Sequence, residues 1–143
     1  MFLRPANLED EDRLLIWRND PDTRNASLTQ HIITEDEHSK WLRASLANPL
    51  RQIYVAEKDG IPIGTFRVDS QDDLLFLSWT IAPSCRHLGY GREMVETARI
   101  DKHKALKAVI RKDNIPSTKL ALHLGMFLQA EKDELLFFIK KSL

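Results

Sequence analysis

The spacing of hydrophobic and polar positions changes several times along this chain, and each change marks an element. "MFLRPA" reads as a short edge strand that ends at Pro5, a residue unable to donate to a strand ladder. "NLEDEDRLLIWRNDP" reads as a helix. Asn7 caps it, Asp10 follows at capping-box spacing, and the acids from Glu9 to Asp12 complement its positive end. Pro21 lies beyond its stop. A second helix, "TEDEHSKWLRASLANP", opens on the box Thr34-x-x-Glu37 and leaves at Asn48-Pro49.

The period then shortens to two. "RQIYVAEKDGIPIGTFRVD" gives two strands around an Asp59-Gly60 turn, a hairpin signal. "DLLFLSWTIAP" is too apolar for an edge and belongs at the centre of a sheet. Behind two glycines, "GREMVETARIDKHK" sets Met94, Val95 and Ala98 at helical spacing. "ALKAVI" is a short buried strand, "STKLALHLG" a short helix ended by Gly125, and "MFLQAEKDELLFFIKKSL" a closing hairpin. The order β-α-α-β-β-β-α-β-α-β-β is an α/β mixture of helices on a central sheet. No repeat, low-complexity tract or linker divides residues 1–143, so a single domain is expected.

Composition narrows the function. The 21 basic and 21 acidic residues cancel, which argues against a nucleic-acid protein. Cys85 is the only cysteine, so no internal disulfide can form and a reducing cytoplasm fits. The acidic N-terminus has no signal-peptide core, and no run approaches the roughly 18 apolar residues of a membrane helix. No His/Cys cluster has metal-ligand spacing.

The chemistry concentrates in "CRHLGYGREM", residues 85–94, between the central strand and a helix start. A junction of that kind aims backbone N–H groups and the positive helix end at one spot, an anion site. Arg86 and Arg92 add charge at its ends. A Walker loop would need Gly-Lys-Ser/Thr where "GRE" stands, and a dinucleotide fingerprint would need glycine at Met94. Taken alone, two glycines fit a plain strand-to-helix turn equally well.

Arg86-x-x-Gly89-x-Gly91 after "WTIAP" resembles the Q/R-x-x-G-x-G/A motif with which the GNAT acetyltransferase superfamily binds acetyl-CoA. "DNIPSTKLALHLGMF" resembles that superfamily's second half, and the order of elements agrees along nearly the whole chain. The resemblance implies a mixed central sheet whose fourth strand, ending at Ile81, splays from the fifth, "ALKAVI", to open a slot for pantetheine. Main-chain groups near Ile81 and Pro83 would pair with it. The loop that Arg86 opens would hold the pyrophosphate on the N–H groups of His87, Leu88, Gly89, Tyr90, Gly91 and Arg92. Asn114 and Ser117 would lie at the thioester. Acetyl-CoA would be the cosubstrate and a primary amine the acceptor.

Such a transfer needs the amine to lose a proton, donors for the oxyanion and a proton for the departing thiolate. His31, His38, Glu35 and Asp73 are the candidates for the base. His38, with Trp41 three and Leu42 four residues on, falls on a face expected to pack on the core; it reads as a structural or substrate-lining histidine and is also the candidate carried forward as the base. The tyrosine that many family members carry four residues before the helix-ending glycine is Ala121 here. Either Ser117 hydrogen-bonds the thiol instead or a water protonates it, and a thiol of reference pKa about 8.5 asks little help.

Trp17, Arg18 and Asn19, with His38 and Trp41, form the expected acceptor side. They resemble GNAT enzymes of amino-sugar nucleotide pathways, which implies a nucleotide-linked amino sugar as substrate. The same residues leave two alternatives open: a protein Nα-acetyltransferase of the ribosomal-protein type, and a CoA-binding module without turnover. Strands near the chain end are where a homodimer would form.

Overall fold

The computed structural model describes all residues 1–143. One seven-stranded sheet carries the fold: β1 (Phe2–Pro5), β2 (Arg51–Lys58), β3 (Ile61–Gln71), β4 (Leu74–Ile81), β5 (Ala105–Arg111), β6 (Phe127–Lys132) and β7 (Leu135–Lys140). Their spatial order is β1-β2-β3-β4-β5-β7-β6, which puts the most apolar run, β4, at the centre and β1 at an edge, as the sequence predicts. All neighbours are antiparallel except β4 and β5. No helix is long and apolar enough to cross a membrane.

Period-two alternation sorts the sheet into two faces. Phe66, Leu75, Leu77, Leu106, Ala108 and Phe138 belong to the main core, under α4 (Tyr90–Thr97) and α5 (Ile115–His123). Ile53 and Val55 point the other way and bury Leu14 and Leu42, from α1 (Glu11–Asn19) and α3 (Glu35–Ala47). Arg67 and Thr65 share that second face with them, being their ladder partners on β3.

Local chemistry explains the elements. Asp59-Gly60 turns β2 into β3 with both residues at positive φ, and Asp133-Glu134 does the same between β6 and β7 without a glycine. α5 ends in a Schellman motif: the Met126 N–H donates to Ala121 O and the Gly125 N–H to Leu122 O, with Gly125 at φ +84°.

The N-terminal helix is a correction. Asn7 and Asp10 do form the capping box, but on a separate 3-10 turn, Leu8–Asp10, before α1. Pro21 lies past the end of α1, as expected, but it also opens a further helix, α2 (Pro21–Ala26). Asp20 accepts the Thr23 N–H as its cap, and proline at the first helical position loses no hydrogen bond. The chain therefore has three helices before β2 where the hydrophobic pattern shows two.

Candidate active site

β4 and β5 pair only at Leu74–Ala105, Leu75–Leu106 and Phe76–Lys107, and then diverge. From Leu77 to Ile81, β4 keeps its ladder to β3 and has no strand on its other edge, so main-chain groups there face a V-shaped gap. At the open end a 3-10 turn (Pro83–Cys85) leads into the Gly-x-Gly loop. His87 and Gly89 both take positive φ, +63° and +78°, and Gly89 caps α4. The first backbone bond of the helix runs from Glu93 N–H to Gly89 O, and the amides from His87 to Arg92 donate to nothing in the chain. A Cβ at Gly89 would meet no atom within 4 Å, so the space over the cap is open. This is an anion cradle built of backbone.

The arginines flanking the loop are otherwise engaged. Arg86 reaches α2, with Nη1 3.3 Å from Asp20 Oδ2 and Nη2 bonded to Thr23 Oγ1. Arg92 Nε pairs with Glu96 at 3.1 Å. Arg86 thus ties the helix that only the tertiary structure reveals to the loop, and the cradle's positive character comes from its amides.

The inner end of the gap meets the start of α5. Asn114 Oδ1 caps that helix by accepting the Ser117 N–H at 3.2 Å, and its Nδ2 reaches Ala26 O of α2 at 3.4 Å. Trp79 Nε1 donates to Ser117 Oγ at 3.1 Å. An indole N–H can only donate, so the serine oxygen accepts there and its own O–H proton is free to point elsewhere. Ala121, at the position where the tyrosine is missing, is fully buried in the main core.

On the other face of the sheet a cavity of about 440 Å³ lies between α1, α2, α3 and the diverging strands. Trp17, Arg18 and Trp41 line it, and Asn114 and Ser117 close it toward the gap. Two expected lining residues are elsewhere. Asn19 is a clamp on the α1–α3 connection, with Nδ2 donating to Ile33 O and Oδ1 accepting the Ile33 N–H, both at 2.7 Å. His38 is wholly buried.

The expectation of His38 as a base is corrected by its hydrogen bonds. Arg18 Nη1 lies 3.0 Å from Nδ1, and a guanidinium only donates, so Nδ1 accepts. Nε2 then carries the proton and donates to Glu11 O at 2.9 Å. Burial first, and the nearby Arg18 charge, hold its pKa below the ordinary histidine value. The ring is neutral with no lone pair free for an amine proton. It holds Arg18, which also lies 4.4 Å over the Trp41 ring.

The other base candidates are no better placed. His31 and Glu35 are exposed and outside the cavity wall, and Asp73 sits at the opposite end of β4 from Ile81. No carboxylate, imidazole, phenol or thiol lines the cavity.

Sequence reasoning missed the cavity floor: Arg51, Thr65, Arg67, Ser78 and Thr80. The signal was present as alternation. In "TFRVD" and "LSWT" polar residues occupy every second place, so a two-residue period gives one polar face on two adjacent strands.

Comparison with known proteins agrees with this geometry. The family model described as "Acetyltransferase (GNAT) domain" matches residues 1–127. Among curated proteins none matches the sequence significantly. A domain from Methanocaldococcus jannaschii has a similar structure at TM-score 0.80 and 17% identity, covering 97% of this chain and 96% of its own. The ribosomal-protein-alanine N-acetyltransferase from Brucella melitensis is similar at TM-score 0.76 and 23% identity, covering 99% of each chain. The spermidine N-acetyltransferase from Vibrio cholerae, in complex with CoA and spermine, is similar at TM-score 0.79 and 11% identity, covering 96% of this chain and 92% of its own. With its family model spanning residues 1–127 and its central strands splayed above a backbone cradle, this chain belongs to the GNAT acetyltransferase family.

Proposed function

We propose that this acetyltransferase moves the acetyl group of acetyl-CoA directly onto a primary amine in the 440 Å³ cavity, and that the amine belongs to a nucleotide-linked amino sugar. One observation carries the reading. The gap between β4 and β5 runs from unpartnered amides at His87 to Arg92 to Ser117 and Asn114 on the cavity wall. Acetyl-CoA supplies an activated thioester, so binding, orientation and proton handling are what this chain contributes.

The residues fit that cosubstrate. The loop amides take the pyrophosphate, and Gly89 leaves it room. Main-chain groups from Ile81 to Pro83 offer the pantetheine arm strand-like partners. With no titratable base on the cavity wall, the amine enters neutral and its surplus proton leaves to solvent after nitrogen attacks the carbonyl carbon. The carbon–sulfur bond breaks, and the Ser117 O–H, turned away from Trp79, hydrogen-bonds the departing sulfur. Trp17, Trp41 and Arg18 offer the aromatic faces and the guanidinium that a sugar nucleotide can use. The free Cys85 thiol agrees with a reducing cytoplasm.

The test is thermal unfolding with acetyl-CoA, with ATP and NAD as controls, on the wild type and Gly89→Trp, followed by an acceptor panel. At about 100 times its dissociation constant acetyl-CoA should raise Tm by roughly 5–10 °C. The shift should vanish in a folded Gly89→Trp variant. No shift with acetyl-CoA would sink the proposal. Transfer to an alanine-starting peptide but to no sugar nucleotide would reassign the acceptor to a protein N-terminus.

A further inference from the structure

Three guanidiniums line the acceptor cavity, those of Arg18, Arg51 and Arg67, and a single carboxylate, Asp69, stands among them. Arg51 takes that carboxylate, with Nε 2.7 Å from Oδ1, and its Nη1 donates to Ser45 Oγ at 3.1 Å. Arg67 is left with the remainder. Its Nε lies 3.3 Å from Asp69 Oδ2, an ion-pair distance without hydrogen-bond alignment, so this buried N–H has no partner.

Directly opposite Arg67 across the β3–β4 ladder is Ser78, whose buried Oγ also has no partner. Both residues line the cavity. Two unsatisfied buried polar atoms on paired positions are costly unless something fills the space between them and the opposite wall. Arg18 stands on that wall, with no carboxylate at ion-pair distance, near enough to Arg67 for their charges to oppose each other. His38 and the Trp41 ring fix it in place. Of the other acids nearby, Asp20 pairs with Arg86, and the exposed Glu37, which accepts from Thr34, acts on Arg18 only from a distance. Three guanidiniums against one carboxylate leave an excess of two positive charges in a cavity without any acidic lining residue.

We propose that Arg67, Ser78 and Arg18 form an oxyanion subsite, and that the acceptor is an amine carrying a phosphate or carboxylate which these three groups bind. Arg67 and Arg18 donate from two sides, and the Ser78 hydroxyl donates from the floor. A polyamine or another polycation meets net repulsion in the same space. The inference rests on the acetyltransferase reading and adds the feature by which the acceptor is recognised.

The experiment measures thiol release from acetyl-CoA with glucosamine, glucosamine 6-phosphate, 2-amino-2-deoxyglucuronic acid, a UDP-linked amino hexose and spermidine as acceptors. Acetyl-CoA binding is followed separately by calorimetry. The anionic amines should exceed glucosamine by about 10- to 100-fold in kcat/KM, the scale of charge-assisted hydrogen bonds, and spermidine should fall below it. The phosphate and carboxylate sugars distinguish the two oxyanions. In Arg67→Gln, folded by its melting curve, the preference should collapse through a higher KM for the anionic amine, with glucosamine losing far less and the acetyl-CoA affinity, read separately, as in the wild type. Arg67→Lys should recover part of it. Inorganic phosphate should compete with the amine and not with acetyl-CoA. Equal use of charged and neutral amines by the wild type, or a preference for spermidine, overturns the subsite while leaving acetyl transfer standing. Loss of acetyl-CoA binding by the wild type would instead strike the underlying reading.

Discussion

Gly64→Ala tests how the gap between β4 and β5 is held open. Gly64 lies on β3 opposite Ile81, the last residue of β4 before the loop. A Cβ built there falls well inside contact distance of the Thr80 carbonyl oxygen, 3.1 Å from Ile81 Cδ1 and 3.3 Å from Ile81 Cα. Two of these are backbone atoms and cannot rotate away, so β3 and β4 must part at the open end of the gap, beyond the residues where β4 pairs with β5. Overpacking of this kind costs about 1–3 kcal/mol, and the stiffer unfolded chain of alanine returns about 0.5 kcal/mol. A net loss of about 1.5 kcal/mol lowers Tm by roughly 5 °C in a chain of this size. Because Thr80 and Ile81 move, acetyl-CoA affinity should weaken too. Gly91→Ala is the control. Its Cβ would meet Leu120 Cδ1 at 3.1 Å, the mobile end of a side chain, and helix propensity favours alanine there. Melting curves and calorimetry on both variants read the difference. If Gly64→Ala keeps wild-type Tm and affinity, or if Gly91→Ala is the more damaging change, the close strand approach is not what shapes the gap.

Two further predictions concern buried titratable groups. Asp10 is fully buried; burial raises its pKa, but hydrogen bonds from Arg4, the Asn7 amide and Arg13 outweigh that and hold it below the ordinary carboxyl value. Asp10→Asn should cost about 2 kcal/mol in denaturant unfolding. A depressed carboxyl pKa gives stability that is present above pH 4 or so and lost as pH falls through the folded value. The variant should therefore show a flatter acid limb, and an equally steep limb would refute the assignment. His38 is held neutral by burial, so its stabilising effect should fade as pH falls from about 6.5 through its lower folded pKa. In His38→Gln the Tm slope in that range should shrink. If His38 acted as the base, its loss would abolish the neutral-pH limb of the kcat profile, whereas a role in holding Arg18 predicts an unchanged limb and a raised KM for the amine.

Much of the cofactor side was legible in the sequence because it is local. A strand, a turn with glycine at positive φ and a helix start fall within about fifteen residues, and the cradle they form is the backbone of those residues. The Asn114–Ser117 cap is equally local. The acceptor side was read less well. Trp17, Arg18 and Trp41 were assigned by resemblance to amino-sugar GNAT enzymes, and the same resemblance assigned His38 and Asn19, which do not line the cavity. A residue's face on a helix says which way it points, and only the packing of α1 on α3 decided that His38 would be sealed beneath Arg18. α2 escaped notice because six residues leave too little periodicity, and Asp20-Pro21 serves equally as a helix end or a helix start.

The sequence by itself determined the seven strands, the helices other than α2, the central place of β4 and the turn that the glycines make before α4, since each depends on residues within one or two turns or strands of each other. Tertiary structure alone decided three things. It drew Arg86 from the loop to Asp20 and Thr23, 66 and 63 positions away. It paired Trp79 with Ser117 across 38 positions, which frees the serine proton for the gap. It also set Arg67 against Ser78 and faced them with Arg18, concentrating positive charge that the neutral composition conceals. Net charge is a sum over the chain, while a site depends on where each charge stands once the sheet has brought distant strands and helices together.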